Sequence, residues 1–191
     1  MTQTIGVLLA AGAGIRMGQP KATVLGPNGL PWVVSSARAL TAGGCAETVV
    51  VIGAAADEVR ELLADEPVTI VESASWHDGM GSSLGAGLTA IEAHQGDAVL
   101  IHLVDLPDVG PDVVHRMLDL SAPDVLARAS YGNGPGHPVL IGREHWRAIA
   151  GETAGDSGAR RYLQRHSVLN VDCSDLATGV DVDEVRSMLG K

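Results

Sequence analysis

Seven short runs rich in Val, Ile and Leu recur along the 191-residue chain, and longer segments with helical apolar spacing alternate with them. Parallel strands joined by crossover helices produce that alternation. The chain therefore reads as α/β: a single domain over residues 1–191, built as three α/β/α layers around a mostly parallel sheet. Strands are expected at 4–10, 48–53, 68–72, 98–104, 124–129, 138–141 and 168–171. Helices are expected at 31–42, 55–64, 81–93, 111–120, 143–150, 156–165 and 183–189. Pro111 suits a first helical turn, where its missing N–H would be unpaired anyway. Asp156 can cap the amides that follow it.

Apolar residues make up 46% of the chain, enough for a core, but only 3% is aromatic and Phe is absent, so that core must be aliphatic. Cys45 and Cys173 stand alone without metal spacing, which supports neither a zinc site nor a disulfide framework and fits a reducing cytoplasm. No apolar run approaches the roughly 20 residues of a membrane helix. The apolar opening stretch from Thr4 to Ala11 has no basic residue before it and reads as a buried strand rather than a secretion signal.

The formal charge of −10 argues against a nucleic-acid partner, which needs a basic stripe. Its distribution is uneven. Residues 1–46 contain Arg16, Lys21 and Arg38 and no acid, so they carry +3 while the remainder carries −13. An anion belongs beside the N-terminal segment.

Open parallel sheets place their sites where loops leave the carboxyl ends of strands. Three loops qualify: the Gly-rich stretch after the first strand, Ser73 to Ser83, and Asp105-Leu106-Pro107. The first, Leu8-Leu9-Ala10-Ala11-Gly12-Ala13-Gly14-Ile15-Arg16-Met17-Gly18-Gln19-Pro20-Lys21, has the chemistry of a phosphate cradle. Its glycines permit positive φ and close backbone approach, and successive N–H groups in such a loop form an anion nest. Arg16 and Lys21 add full charges, and Pro20 restricts the chain before Lys21. It is neither of two familiar motifs. A dinucleotide fingerprint needs a third glycine where Met17 stands and an acid about 20 residues on, yet no acid precedes Glu47. A P-loop needs G-K-[ST], and Gly18 is followed by Gln19-Pro20.

This loop resembles the signature of the nucleotidyltransferases that build nucleotide forms of the molybdenum cofactor, and more widely of the pyrophosphorylases that share their fold. The resemblance extends through Gly79-Met80-Gly81-Ser82-Ser83-Leu84 with Gly87-Leu88, Val104-Asp105-Leu106-Pro107, Gly136-His137-Pro138-Val139-Leu140, Gly155-Asp156-Ser157-Gly158-Ala159-Arg160 and Asp181-Val182-Asp183. It implies a Rossmann-like, GT-A-like nucleotidyltransferase fold using Mg²⁺. Asp105 and Asp183 are then the metal carboxylates, with Asp181 a weaker candidate. Arg16 and Lys21 serve the phosphates, and Arg16, Lys21 and Asp105 are the catalytic set.

The nucleotide would lie against Leu9, Ala10, Ala11, Gly12 and Gly14, with Ser82 and Ser83 toward its base and ribose. The Leu9-Ala10-Ala11-Gly12 form of the loop resembles the cytidylyltransferase version, where guanylyltransferases tend to have Leu-Ala-Gly-Gly, so CTP is favoured over GTP. The acceptor implied is molybdopterin, facing His137, Asp156 and Arg160, with release of pyrophosphate and onward delivery to a molybdoenzyme or its chaperone. Two departures stand out: Glu184-Val185 replaces the usual Thr-Pro, and Leu106 stands where cytidylyltransferases commonly have Gln.

Other readings compete. A GTP-dependent guanylyltransferase, or another pyrophosphorylase acting on a phosphorylated small molecule, would use the same loop. Gly81-Ser82-Ser83-Leu84-Gly85 also matches G-x-S-x-G, and Ser83, Asp105 and His137 occur in serine-hydrolase order. That elbow requires a strand-to-helix turn at the serine. A nucleotide-binding regulator without turnover is a third reading. His102, inside a strand, is expected to be a hydrogen-bonded core histidine, and Trp76 to pack on its own loop.

Overall fold

The computed structural model describes residues 3–152 and 158–183. Seven strands form one sheet in the order β3-β2-β1-β4-β6-β5-β7. They are β1 (Thr4–Leu9), β2 (Glu47–Ile52), β3 (Thr69–Glu72), β4 (Ala98–Leu103), β5 (Leu126–Tyr131), β6 (Gly134–Gly142) and β7 (Leu169–Asp172). The helices are α1 (Trp32–Ala42), α2 (Ala56–Leu62), α3 (Met80–Ile91), α4 (Pro111–Leu118), α5 (Arg143–Glu152) and α6 (Arg160–Gln164). Pro111 opens α4 as expected. Beyond Asp183, the helix expected over 183–189 lies outside the described residues, as does the cap expected at Asp156.

Every residue of β1 is buried, because the strand lies mid-sheet with helices on both faces, and its continuous apolar run follows from that position. One face packs Val33, Val34, Ala37 and Leu40 of α1, Val59 of α2, and Val113, Val114 and Met117 of α4. The other packs Leu84, Leu88 and Ile91 of α3 against Trp146, Ile149 and Tyr162 of α5 and α6. These are the three layers expected. Among the described residues no helix is long and apolar enough to cross a membrane.

All pairings are parallel except those of β6, which runs antiparallel to both β4 and β5. Only Gly132-Asn133 separates β5 from β6, too short a link for a crossover, so the chain must double back as a hairpin. β6 consequently runs further than the expected 138–141, while β5 keeps its expected length but lies two residues closer to the turn than 124–129.

The chain moves outward from β1 to β2 and β3, then returns through α3 to place β4 on the other side of β1. Strand order reverses between β1 and β4. Their carboxyl ends, Leu9 and Leu103, are directly paired, so the loops that leave them diverge around one crevice.

Candidate active site

The loop after β1 is built around a few anchors. Ala10 N–H donates to the Val51 carbonyl at 2.9 Å, and the Ala11 carbonyl accepts from Ala54 N–H at 3.0 Å, carrying sheet order into the loop. Gly14 sits at φ +60°, and a Cβ there would run into the Gln19 carbonyl oxygen, so the fold of the loop demands glycine. Met17 is buried in the core and pins the far side. Pro20 leads into a single 3₁₀ turn, Lys21–Thr23, anchored in the core by Ala22 and the following Val24. Ile15 and Arg16 remain exposed at the tip.

Across the crevice, Val104 and Leu106 are buried on either side of Asp105, which turns that carboxylate toward the loop. Lys21 Nζ donates to Asp105 Oδ2 at 2.7 Å and to Asp183 Oδ1 at 2.5 Å. Arg16 Nη1 lies 2.8 Å from Asp183 Oδ2. Asp183 arrives from 162 positions further along the chain, placed by Val182 N–H donating to the Asp105 carbonyl at 3.0 Å. Burial alone would weaken the hold of Lys21 on its proton, but the two carboxylates outweigh it and raise its pKa above the ordinary lysine value. Asp183 is held below its ordinary value, first by the Lys21 hydrogen bond and further by Arg16.

One oxygen from each of Asp105, Asp181 and Asp183 lies within 4.8 Å of the others. An all-carboxylate set suits a hard divalent cation such as Mg²⁺ or Mn²⁺ and not a soft one. The Lys21 ammonium neutralises two of the same three groups.

Two cavities open here. A cleft of about 470 Å³ is lined by the β1 loop from Ala11 to Arg16, Lys21, Trp76, Ser83, Asp105 and Asp183. A second, of about 590 Å³, lies next to it and shares Leu9 and Met80. Its lining is apolar at Leu84, Ile101 and Val139 and polar at Arg128, His137, Arg160 and Gln164.

Of the residues expected from sequence, Leu9, Ala11, Gly12, Gly14, Arg16, Lys21, Ser83, Asp105 and Asp183 meet in the smaller cleft, and His137 and Arg160 in the larger. Ala10 is buried behind the loop, and Ser82, in the first turn of α3, lines neither cavity. Asp156 and Glu184-Val185 lie outside the described residues. Arg128 and Gln164 were not anticipated. A lone arginine in the apolar run of β5 was the available signal.

Ser83 lies within α3, four per cent exposed, and not at a strand-to-helix turn, so the nucleophile elbow is not formed. His102 departs from expectation as well: it is fully buried, and neither ring nitrogen has a hydrogen-bond partner among the described residues. It sits on β4 opposite Leu8 of the fully buried β1, where burial excludes the solvent that would otherwise serve its nitrogens. Trp76 packs beyond its own loop, against Gly53 and into the cleft.

Residues 6–171 match the family described as the MobA-like NTP transferase domain. The chain belongs to that family. A nicotine blue oxidoreductase of Paenarthrobacter nicotinovorans is 40% identical to this MobA-like chain over 96% of its length and 93% of the relative's. The crystal structure of Rv0371c from Mycobacterium tuberculosis H37Rv superposes with a TM-score of 0.83 at 25% identity, covering 98% of this chain and 96% of that one. A further structure of Rv0371c, in complex with manganese, gives 0.74 at 24% identity over 95% and 94%. A nucleotidyl transferase from Methanothermobacter gives 0.84 at 23% identity over 99% and 95%. The sheet and helix layers are those of nucleotidyltransferases.

Proposed function

We propose that this MobA-like domain transfers CMP from CTP to the phosphate of molybdopterin, forming molybdopterin cytosine dinucleotide and releasing pyrophosphate. The observation that carries the reading is the convergence of Lys21 and Arg16 on Asp105 and Asp183 beside a glycine-lined cleft, with a second cavity alongside. Cations for a polyphosphate and carboxylates for its counter-ion are the two things such a transfer needs.

In this reading the triphosphate occupies the smaller cleft. Asp105 and Asp183, with Asp181 beside them, would hold a divalent ion, which supplies neutralisation of phosphate charge when bound. An oxygen of the acceptor phosphate attacks the α-phosphorus, the bond to the β-phosphate oxygen breaks, and pyrophosphate departs with that electron pair. A phosphate nucleophile is already ionised at neutral pH, so no side chain needs to remove a proton. The protein aligns the groups and offsets charge, with Lys21, Arg16 and loop amides at the phosphates. Arg128, His137, Arg160 and Gln164 then face the acceptor from the larger cavity. His137 suits a neutral contact there, since burial pushes its pKa down to about 4, only partly opposed by Asp105. A cytoplasmic setting, where CTP and Mg²⁺ are plentiful, and hand-over to a molybdoenzyme or its chaperone go with this reading.

The 40% identity to a protein named for oxidation and reduction of nicotine blue favours a second reading, an oxidoreductase acting on a related compound. The same assay separates the two. Purified protein with Mg²⁺ and molybdopterin is given CTP or GTP and pyrophosphate is followed. In parallel, NADH or NADPH is supplied with nicotine blue and loss of the reduced nicotinamide is followed. Pyrophosphate with CTP that vanishes in Asp105→Asn is the expected outcome. Preference for GTP would replace the base assignment alone, while nicotinamide oxidation without pyrophosphate would replace the reaction.

A further inference from the structure

The metal-site carboxylates come from distant parts of the chain, and what brings them together is a strap. After β7 the chain leaves the sheet at Cys173 and crosses the ends of the central strands to Asp183 without forming a helix or strand. Cys173 is fully buried, and its N–H donates to the Ser130 carbonyl at 2.9 Å. Arg116 of α4 clamps the start, donating to Asp175 Oδ1 and Oδ2 at 2.6 and 2.9 Å and to the Asp172 carbonyl at 2.9 Å. Gly179, at φ +61°, lies so close to the Tyr131 ring that a Cβ would overlap it.

The next fastening is Asp108. Its Oδ2 accepts from both the backbone N–H of Thr178, at 2.7 Å, and the Thr178 hydroxyl, at 2.6 Å. Four residues later, Val182 N–H donates to the Asp105 carbonyl. The loop after β4 therefore grips the strap at two points, Asp108 on Thr178 and Asp105 on Val182. Between and just beyond them lie Asp181 and Asp183. Asp105 is itself on the gripping loop, so the grip sets the spacing of all three carboxylates.

We infer that Asp108 is a positioning residue for the divalent-cation site, holding Thr178 so that Asp181 and Asp183 stand within reach of Asp105. The inference rests on the metal role proposed above for these carboxylates. Asp108 acts through hydrogen-bond geometry rather than charge: two donors on one residue meet one oxygen, and an amide oxygen in the same place can accept both.

That distinction makes the test specific. Mn²⁺ binding to the intact chain, without nucleotide or acceptor, is titrated by the loss of the free-ion EPR signal, well below each variant's melting temperature. Asp108→Ala is expected to weaken Mn²⁺ binding about tenfold, the range seen when partners of metal ligands are removed. Thr178→Val, which loses only the hydroxyl, is expected to weaken it less. Asp108→Asn, which keeps the acceptor and drops the charge, is expected to stay within about twofold of the parent. Unchanged binding in Asp108→Ala, or equal losses in the Ala and Asn variants, would overturn the inference and leave the metal reading standing. A parent protein that binds no Mn²⁺ would overturn both.

Discussion

Lys21 is pulled in two directions. Its ammonium bridges Asp105 and Asp183, the groups that would take a divalent ion, while its place at the end of the glycine loop suits a triphosphate. In the proposed reaction, arrival of a metal and about four phosphate charges together would let it trade one set of anions for the other without stranding any charge. Lys21→Met should therefore have opposite effects on two binding events. Pyrophosphate release should fall by about 100-fold, as for loss of a donor to developing charge, while Mn²⁺ binding without nucleotide should tighten because the carboxylates lose their internal counter-ion. Weaker Mn²⁺ binding in the variant would contradict the exchange. Arg16 differs, with its side chain 72% exposed and, among the described residues, paired at Asp183 alone. Exposed pairs add little to stability, so Arg16→Ala should leave the melting temperature unchanged and raise the KM for CTP. Both cations were legible in the sequence because they sit in a stretch without acids. Asp108 was not, since an aspartate in an acid-rich segment carries no mark of what it binds.

Among the elements, the glycine loop is shaped from within, and Gly14 is where that shape is most constrained. A side chain there meets both an unfavourable positive φ and the Gln19 carbonyl. Gly14→Ala should cost at least about 1 kcal/mol from backbone conformation alone, and because Gln19 leads into Pro20 and Lys21 it should also lower affinity for CTP. Urea melts and nucleotide titration check the two effects. A variant that loses stability but binds CTP as before would separate the loop's shape from the position of Lys21.

Elements whose burial is uniform were readable from composition alone, as β1 and β4 show with nearly unbroken apolar runs. The β5–β6 hairpin was half readable: its strands were apolar enough to find, but its direction depended on the length of a two-residue link. The strap from Cys173 to Asp183 has no periodicity at all. Its course is set by side chains elsewhere, Arg116, Asp108 and Tyr131, so a sequence scan could find Asp183 by resemblance but not what delivers it.

For the whole molecule, three-layer burial leaves a few side-chain polar atoms without partners among the described residues, Trp32 Nε1, Ser73 Oγ and both ring nitrogens of His102, and only the last can titrate near neutral pH. His102 lies on β4 within the core, without a hydrogen-bond partner for either nitrogen among the described residues, and burial pushes its pKa down to about 3, with His137 adding and Asp108 partly opposing. The unfolded chain, where histidine titrates near 6.5, binds a proton that the folded chain refuses throughout the interval from about 6.5 to 3. Stability is therefore lost as the pH falls through that window, by about 1.4 kcal/mol per unit for one such group. His137, pushed to about 4, adds a second contribution over most of it. Asp172, Asp175 and Asp183 have folded pKa values held below 3.8, so their contributions are lost only at lower pH and leave the region from 6.5 to 5 to the histidines. His102→Leu removes the refused proton and an unpaired buried polar group together. Urea unfolding at pH 7, 6 and 5 should show the variant at least as stable as the parent at pH 7, with roughly half the parent's loss on acidification. Parallel acid limbs in the two proteins would mean that His102 takes up its proton in the folded chain, and so that the sheet makes room for a charge at its centre.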